Sequence, residues 1–191
     1  MLVALLADIH FGCRLDSEIF LEQHRKFFKE IFFPELEERK IKNIIILGDL
    51  FDKERTFNVK TFKEVTKMFI DPILENDYKV WVIPGNHDSY YKDSLKVTTV
   101  EEFLGSYDNF HVMTQPTLVN FGDKAFMFLP WTPNNQIPAD LEVADVLCTH
   151  LPMLGYERYK GVKNLDEGVD PNIFGGYSLV LSGDYHHPNG P

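Results

Sequence analysis

Three apolar runs in the first half of the chain each stop at residues able to hold a metal ion. Leu2 to Ala7 runs into Asp8-Ile9-His10, Asn43 to Leu47 into Gly48-Asp49-Leu50-Phe51-Asp52, and Lys79 to Ile83 into Pro84-Gly85-Asn86-His87-Asp88. Two later runs end in the same way, Val143 to Cys148 before His150 and Ser178 to Leu181 before Gly183-Asp184-Tyr185-His186. Carboxylate, amide and imidazole donors in one set suit Mn, Fe or Zn, with Mg also compatible, and not a soft-metal site. Two divalent ions roughly 3.5–4 Å apart clamp the attacking and leaving oxygens of an in-line displacement. That geometry needs a bridging carboxylate, and Asp49 is the natural one. His87 cannot easily share an ion with its neighbour Asn86. It is better placed as general acid or electrostatic partner of the leaving oxygen, with Asp88 fixing its tautomer. Each fragment alone is weak, because a Gly-Asp after a strand is commonly only a turn. The ordered combination carries the reading.

For these donors to meet, the apolar runs must be strands whose carboxyl ends share one edge. Between the first two, Ile19, Phe20, His24, Phe27, Phe28, Ile31 and Phe32 recur at helix spacing from Ser17 onward, with Asp16 or Ser17 available as cap. This Phe stripe reads as core. Pro34 should kink or restart that helix before Glu35 to Lys40. A second helix is predicted over Asn58 to Leu74, perturbed by Pro72, and a short one around Val100 to Leu104 closing at Gly105. Strand–helix–strand–helix–strand implies a parallel sheet with helical crossovers. The rhythm then changes to closely spaced strands, Phe110 to Met113, Thr117 to Phe121 and Lys124 to Leu129, with a hairpin turn at Gly122-Asp123. A long Gly- and Tyr-containing connection, Leu151 to Tyr177, precedes the last strand.

At 191 residues and 44% hydrophobic content, one domain with a sizeable core is expected. The net charge of −10 argues against a uniformly basic nucleic-acid binder. It does not exclude one, because bound divalent ions would supply positive charge where a phosphate sits. Two cysteines, Cys13 and Cys148, make no disulfide framework and read as small, partly buried residues of a reducing compartment. The N-terminal apolar run is too short to span a membrane, so a cytoplasmic protein is expected.

The five motifs resemble, in order, those of the calcineurin-like metallophosphoesterases. They are Asp8-Ile9-His10, Gly48-Asp49-Leu50-Phe51-Asp52, Gly85-Asn86-His87-Asp88, Thr149-His150 and Gly183-Asp184-Tyr185-His186. Within that family Asp-Ile-His-Phe-Gly and Gly-Asp-Leu-Phe-Asp look most like the SbcD branch, nuclease subunits of DNA repair and phage recombination. The resemblance implies an α/β fold, a four-layer α-β-β-α sandwich with two mixed sheets. It implies one ion on Asp8, His10, Asp49 and His186, a second on Asp49, Asn86, His150 and Asp184, Mn as the usual metal, and His87 as the catalytic histidine. DNA, an SbcC-type ATPase subunit and a second copy of the chain are the implied partners. Phosphomonoester or cyclic-nucleotide hydrolysis, or a scaffold role, are the alternatives. Asp184 departs from the pattern, which has histidine there, and a carboxylate at that position implies a working site with altered metal preference. His187 is one residue out of register with the last motif. The branch also continues past this motif with a DNA-contacting cap and an ATPase-docking segment, whereas the sequence here stops at Pro191. Beside the motifs, Tyr90 and Tyr91 with Lys92, and Tyr156, Arg158, Tyr159 and Lys160 in the long connection, are candidate substrate contacts.

Overall fold

A computed structural model describes residues 2–52, 56 and 58–186 of the chain; His187 lies outside them. The β-branched run Asn43–Leu47 forms β2, flanked by β1 (Val3–Leu6) and by β3 (Lys79–Ile83), with β4 (Phe110–Val112) beyond β3. All pairings in this sheet are parallel, with Leu5 opposite Ile45 and Ile44 opposite Val80. The second sheet has the order β10 (Leu179–Ser182), β7 (Val146–Thr149), β6 (Lys124–Leu129), β5 (Thr117–Phe121). In it only the β5–β6 hairpin is antiparallel. The expectation of two mixed sheets is therefore corrected for the first, whose strands are joined by crossovers throughout and run one way.

Period-two alternation sorts each strand between layers. Ile44, Ile46, Val80 and Val82 face the helices, while Ile45, Leu47 and Ile83 face the second sheet. There they meet Phe128, Val146 and Cys148, so the inter-sheet core is fed from both sides. Met127, Leu129 and Leu147 point to the far side of the second sheet. Among the described residues that far layer holds no α-helix. It is built from the connections, with Leu151, Met153, Val169 and Phe174 laid against the strands. The segment is broken by Pro and Gly and offers no helical apolar period; it forms instead a small hairpin, β8 (Glu157–Tyr159) and β9 (Val162–Lys163), and a 3-10 turn at Pro171–Phe174.

The helical layer consists of α1 (Glu18–Lys26), α2 (Phe33–Glu38), α3 (Val59–Val65), α4 (Asp71–Glu75) and α5 (Thr99–Leu104). Ser17 takes the cap position of α1, although its side chain makes no capping bond. Wide π-type turns, Phe27–Phe32 and Thr66–Ile70, connect α1 to α2 and α3 to α4. Each leads into a proline, Pro34 and Pro72, in the first turn of the following helix. A proline withdraws one N–H and crowds the carbonyl four residues back. Widening the preceding turn, with Phe33 N–H donating to Phe28 O and Asp71 N–H to Thr66 O, absorbs that change without breaking the helix. The Phe stripe is only partly core. Phe28 and Phe32 are buried, whereas Ile19, Phe20, Phe27 and Ile31 remain exposed. No helix among the described residues is long and apolar enough to cross a membrane.

Phe28 packs on Phe11 and Phe69 at ring-centroid distances of 5.7 and 5.1 Å and is fully buried. Phe28→Ala should destabilise the fold by about 3–5 kcal/mol. Urea denaturation checks this, and a midpoint unchanged from the parent would show that the helical layer is not packed as described.

Candidate metal centre

The five motif segments leave the carboxyl ends of β1, β2, β3, β7 and β10 and turn at once toward one another. Asp8 N–H donates to Gly48 O and His10 N–H to Asp49 O, which zips the first two loops together. Asp184 N–H donates to Asp8 Oδ1 at 3.0 Å, joining the second sheet to the first. Asp8, His10, Asp49 and Asp184 all take positive φ, at 53°, 51°, 51° and 86°. Asp and His tolerate this region better than most side chains. The cost is still about 1–3 kcal/mol each, and such strain concentrates where function over-determines the backbone. Here it aims four side chains at one point.

His150 is fully buried, and its Nδ1 lies 2.6 Å from Leu47 O. A carbonyl only accepts, so Nδ1 carries the proton and Nε2 of the neutral ring is a lone pair. That lone pair faces Asn86 Oδ1 at 3.1 Å, Asp49 Oδ2 at 3.3 Å and Asp184 Oδ1 at 4.0 Å. On the other side of Asp49, its Oδ2 lies 3.6 Å from His10 Nε2. His10 Nε2 is in turn 3.1 Å from His186 Nε2, and His186 Nε2 is 3.7 Å from Asp8 Oδ1. Acceptors converge here with too few protons to share, which is the donor chemistry a divalent cation satisfies. The ligand atoms of Asp8, His10 and His186 lie within 4.8 Å of one another, as do those of Asp8, Asp49 and His150. These donors fit divalent ions, and Asp49 stands between the two groups.

Electrostatics agree with the crowding. Burial pushes the Asp8 and Asp184 carboxyls up. Burial would do the same to Asp49, but the His150 ring beside it, with His87 and His10 beyond, brings it down to about 2. For His150, burial opposes the charge, yet Asp49 outweighs it and pushes the ring up to about 10, so a divalent ion would compete with a proton for Nε2. His10, mainly through burial, is lowered to about 4.

His87 lies on the rim. Its backbone N–H donates to Asp49 Oδ1 at 2.9 Å, and its ring stands edge-on to His10 at 4.8 Å. Its Nδ1 meets the carbonyl of Asp52 at 3.1 Å, so Nδ1 donates and Nε2 is left to exchange a proton. Asp88 does not hold that ring, contrary to expectation. It is wholly buried and accepts from the backbone N–H groups of Gly85, Phe51 and Leu50 at 2.9, 3.0 and 3.3 Å. It staples the second motif to the third, and burial followed by the nearby Asp49 raises it to about 7. Tyr90 and Tyr91 are exposed and pack edge to face on each other, outside the cleft over the centre. Tyr156, Arg158, Tyr159 and Lys160 belong to the β8–β9 hairpin and its turn.

Sequence reasoning gave no role to Asp52, whose carbonyl holds His87 and whose Oδ1 faces His10 Nδ1 at 3.5 Å. Its position three residues after Asp49 was the available signal. It also missed Asn164, which is 4% exposed. Asn164 donates to Tyr185 Oη at 2.6 Å, and that hydroxyl donates to Met153 O at 3.1 Å. The residue between Asp184 and His186 is thereby anchored in the long connection. Nothing local in the sequence marks such a pairing.

The centre leaves no room at Gly85, where a Cβ would stand 2.1 Å from Asp49 Oδ1. Gly85→Ala should displace the Asp49 carboxylate and weaken divalent-ion binding about 10–100-fold. Titration calorimetry with Mn measures this beside circular dichroism. Parent affinity in a folded variant would remove Asp49 from the ligand set.

Among known proteins, the chain is 27% identical over 191 residues to Exonuclease subunit 1 of Enterobacteria phage T4, covering 97% of this chain and 55% of that protein. It is 26% identical over 212 aligned positions to the D subunit of the nuclease SbcCD of Staphylococcus saprophyticus, covering 95% of this chain and 55% of that one. The chain thus spans about half the length of these relatives. The crystal structure of Pseudomonas putida nuclease MPE aligns at 20% identity with a TM-score of 0.48, over 80% of this chain and 62% of that one. The family model for calcineurin-like phosphoesterases matches residues 1–188, a span that holds all five motif segments, and the chain belongs to that family.

Proposed function

We propose that this chain is the catalytic part of a metal-dependent DNA nuclease that hydrolyses phosphodiester bonds. The observation that carries the reading is the convergence of proton-poor donors on both sides of Asp49, with His87 on the rim above them. The names of the two relatives, an exonuclease subunit and a nuclease subunit, support nucleic acid as the ester. Asp8, His10, Asp49 and His186 would hold one ion and Asp49, Asn86, His150 and Asp184 the other, with Mn as the native metal. Divalent ions in such a site supply positive charge to the phosphoryl oxygens and lower the pKa of water.

The chain's own residues do the rest. The Asp52 carbonyl fixes the His87 ring so that Nε2, when protonated, gives its proton to the leaving oxygen. The Leu47 carbonyl holds His150 in the tautomer that presents Nε2 to the centre. Asp88 positions the second and third motifs and takes no part in proton transfer. Both relatives are named as subunits, which supports an SbcC-type ATPase as partner. The exposed Ile19, Phe27 and Ile31 of the first helical segment support a homodimer contact there.

Mn-dependent cleavage of linear single- and double-stranded DNA, beside a phosphomonoester, tests the reading. His87→Ala should lower DNA turnover by about 10²–10⁴-fold. Turnover of the monoester alone would move the protein to the phosphatase side of the family. Asp184→His should raise the preference for Mn over Mg by about tenfold, because imidazole favours the transition metal. Calorimetric affinities for both ions measure this, and an unchanged ratio would mean that residue 184 does not set the metal.

A further inference from the structure

The cleft above the centre has a volume of about 540 Å³, larger than a single phosphate needs. Asp8, His10, His87 and His186 line it together with Cys13, Arg14, Phe20 and His24. We propose that the Arg14–Phe20 edge is a nucleotide subsite, in which Arg14 takes the phosphate flanking the scissile one and Phe20 stacks on a base. The proposal rests on the nuclease reading.

Three observations carry it. Arg14 is the one lysine or arginine among the described residues lining the cleft, which Asp8 and Asp52 also line. Among those residues it has no ion-pair partner, so its guanidinium is available to a phosphate, which it matches with paired N–H groups. In a chain of net charge −10, a polyanion passing this cleft needs such a cation beyond the ions themselves.

The backbone is strained to place it there. Arg14, Leu15 and Asp16 take positive φ in succession, at 54°, 62° and 59°, after Gly12 at 89°. The turn is closed by Asp16 N–H to Gly12 O and Ser17 N–H to Cys13 O. Packing does not repay the strain, because no residue of Cys13–Asp16 is buried and Leu15 is 85% exposed. This left-handed turn leaves Arg14 among the residues that line the cleft.

Phe20 supplies the flat surface. It is 44% exposed, although Phe28 and Phe32 farther along the same helical segment are buried. An exposed ring beside a phosphate-binding cation is the pairing that holds single strands without regard to sequence. A small ester would need neither group.

The test is fluorescence anisotropy of a labelled short thymidine oligonucleotide, and of an abasic strand of the same length, with Mn present and His87→Ala as the non-cleaving parent. Adding Arg14→Ala should raise Kd about tenfold or more on both strands, with Arg14→Lys recovering part of it. Adding Phe20→Ala should raise Kd on the thymidine strand and much less on the abasic one. Both positions are exposed, and circular dichroism verifies the fold. Kd values within twofold of the parent for Arg14→Ala and Phe20→Ala overturn the subsite, as does an equal loss on both strands for Phe20→Ala. A parent that binds the strand and loses it on Arg14→Ala, while the His87-intact protein cleaves no DNA, would sustain the subsite and defeat the nuclease reading. Failure of the parent to bind, with hydrolysis of bis(p-nitrophenyl) phosphate by the His87-intact protein, would defeat both.

Discussion

One hydrogen bond, from His150 Nδ1 to Leu47 O, sits where the two sheets come together and sets the terms for the centre. It crosses from the end of one sheet to the end of the other, and it decides which ring nitrogen is free to face Asp49. Its length of 2.6 Å is attainable only because the neighbouring backbone carries no side chain. A Cβ on Gly48 would lie 2.3 Å from that same Nδ1, and one on Gly183 would lie 2.3 Å from Leu47 O. The glycines of the second and fifth motifs are thus there for the histidine of the fourth. The motifs form one packing problem with one solution.

Behind the centre the same economy continues into the core. Phe11 follows His10 directly, and Phe51 lies two residues past Asp49. Their backbones pair across the first two loops, and both rings are fully buried. Phe11 packs on Phe28, Phe69 and His24. A shift of the aromatic cluster would therefore be transmitted to His10 through a single peptide unit. The stability of the helical layer and the precision of the site are carried by the same side chains.

Much of this was legible in the sequence because strand ends announce themselves locally. Apolar runs such as Asn43–Leu47, stopping at Gly-Asp, fix both the strand and the position of its last side chain, and the helical crossovers follow from the spacing between runs. Illegible were the pairings that depend on distant parts of the chain. Asp88 looks like a partner for its neighbour His87, yet its carboxylate satisfies backbone donors from two motifs, one of them nearly forty residues upstream. Phe20 belongs to a helical Phe pattern, and periodicity alone could not tell that the helix would present it to the cleft. That the described residues lay no α-helix on the far side of the second sheet had a negative signal only, a long connection without apolar period.

The bond from Asp184 N–H to Asp8 Oδ1 spans 176 positions of sequence. The centre thus gathers residues that follow the first and the last of the described strands, β1 and β10. Loop-closure entropy makes a clasp between distant points more stabilising than one between near points. An ion held between these segments would close that long loop a second time, much as a cross-link would.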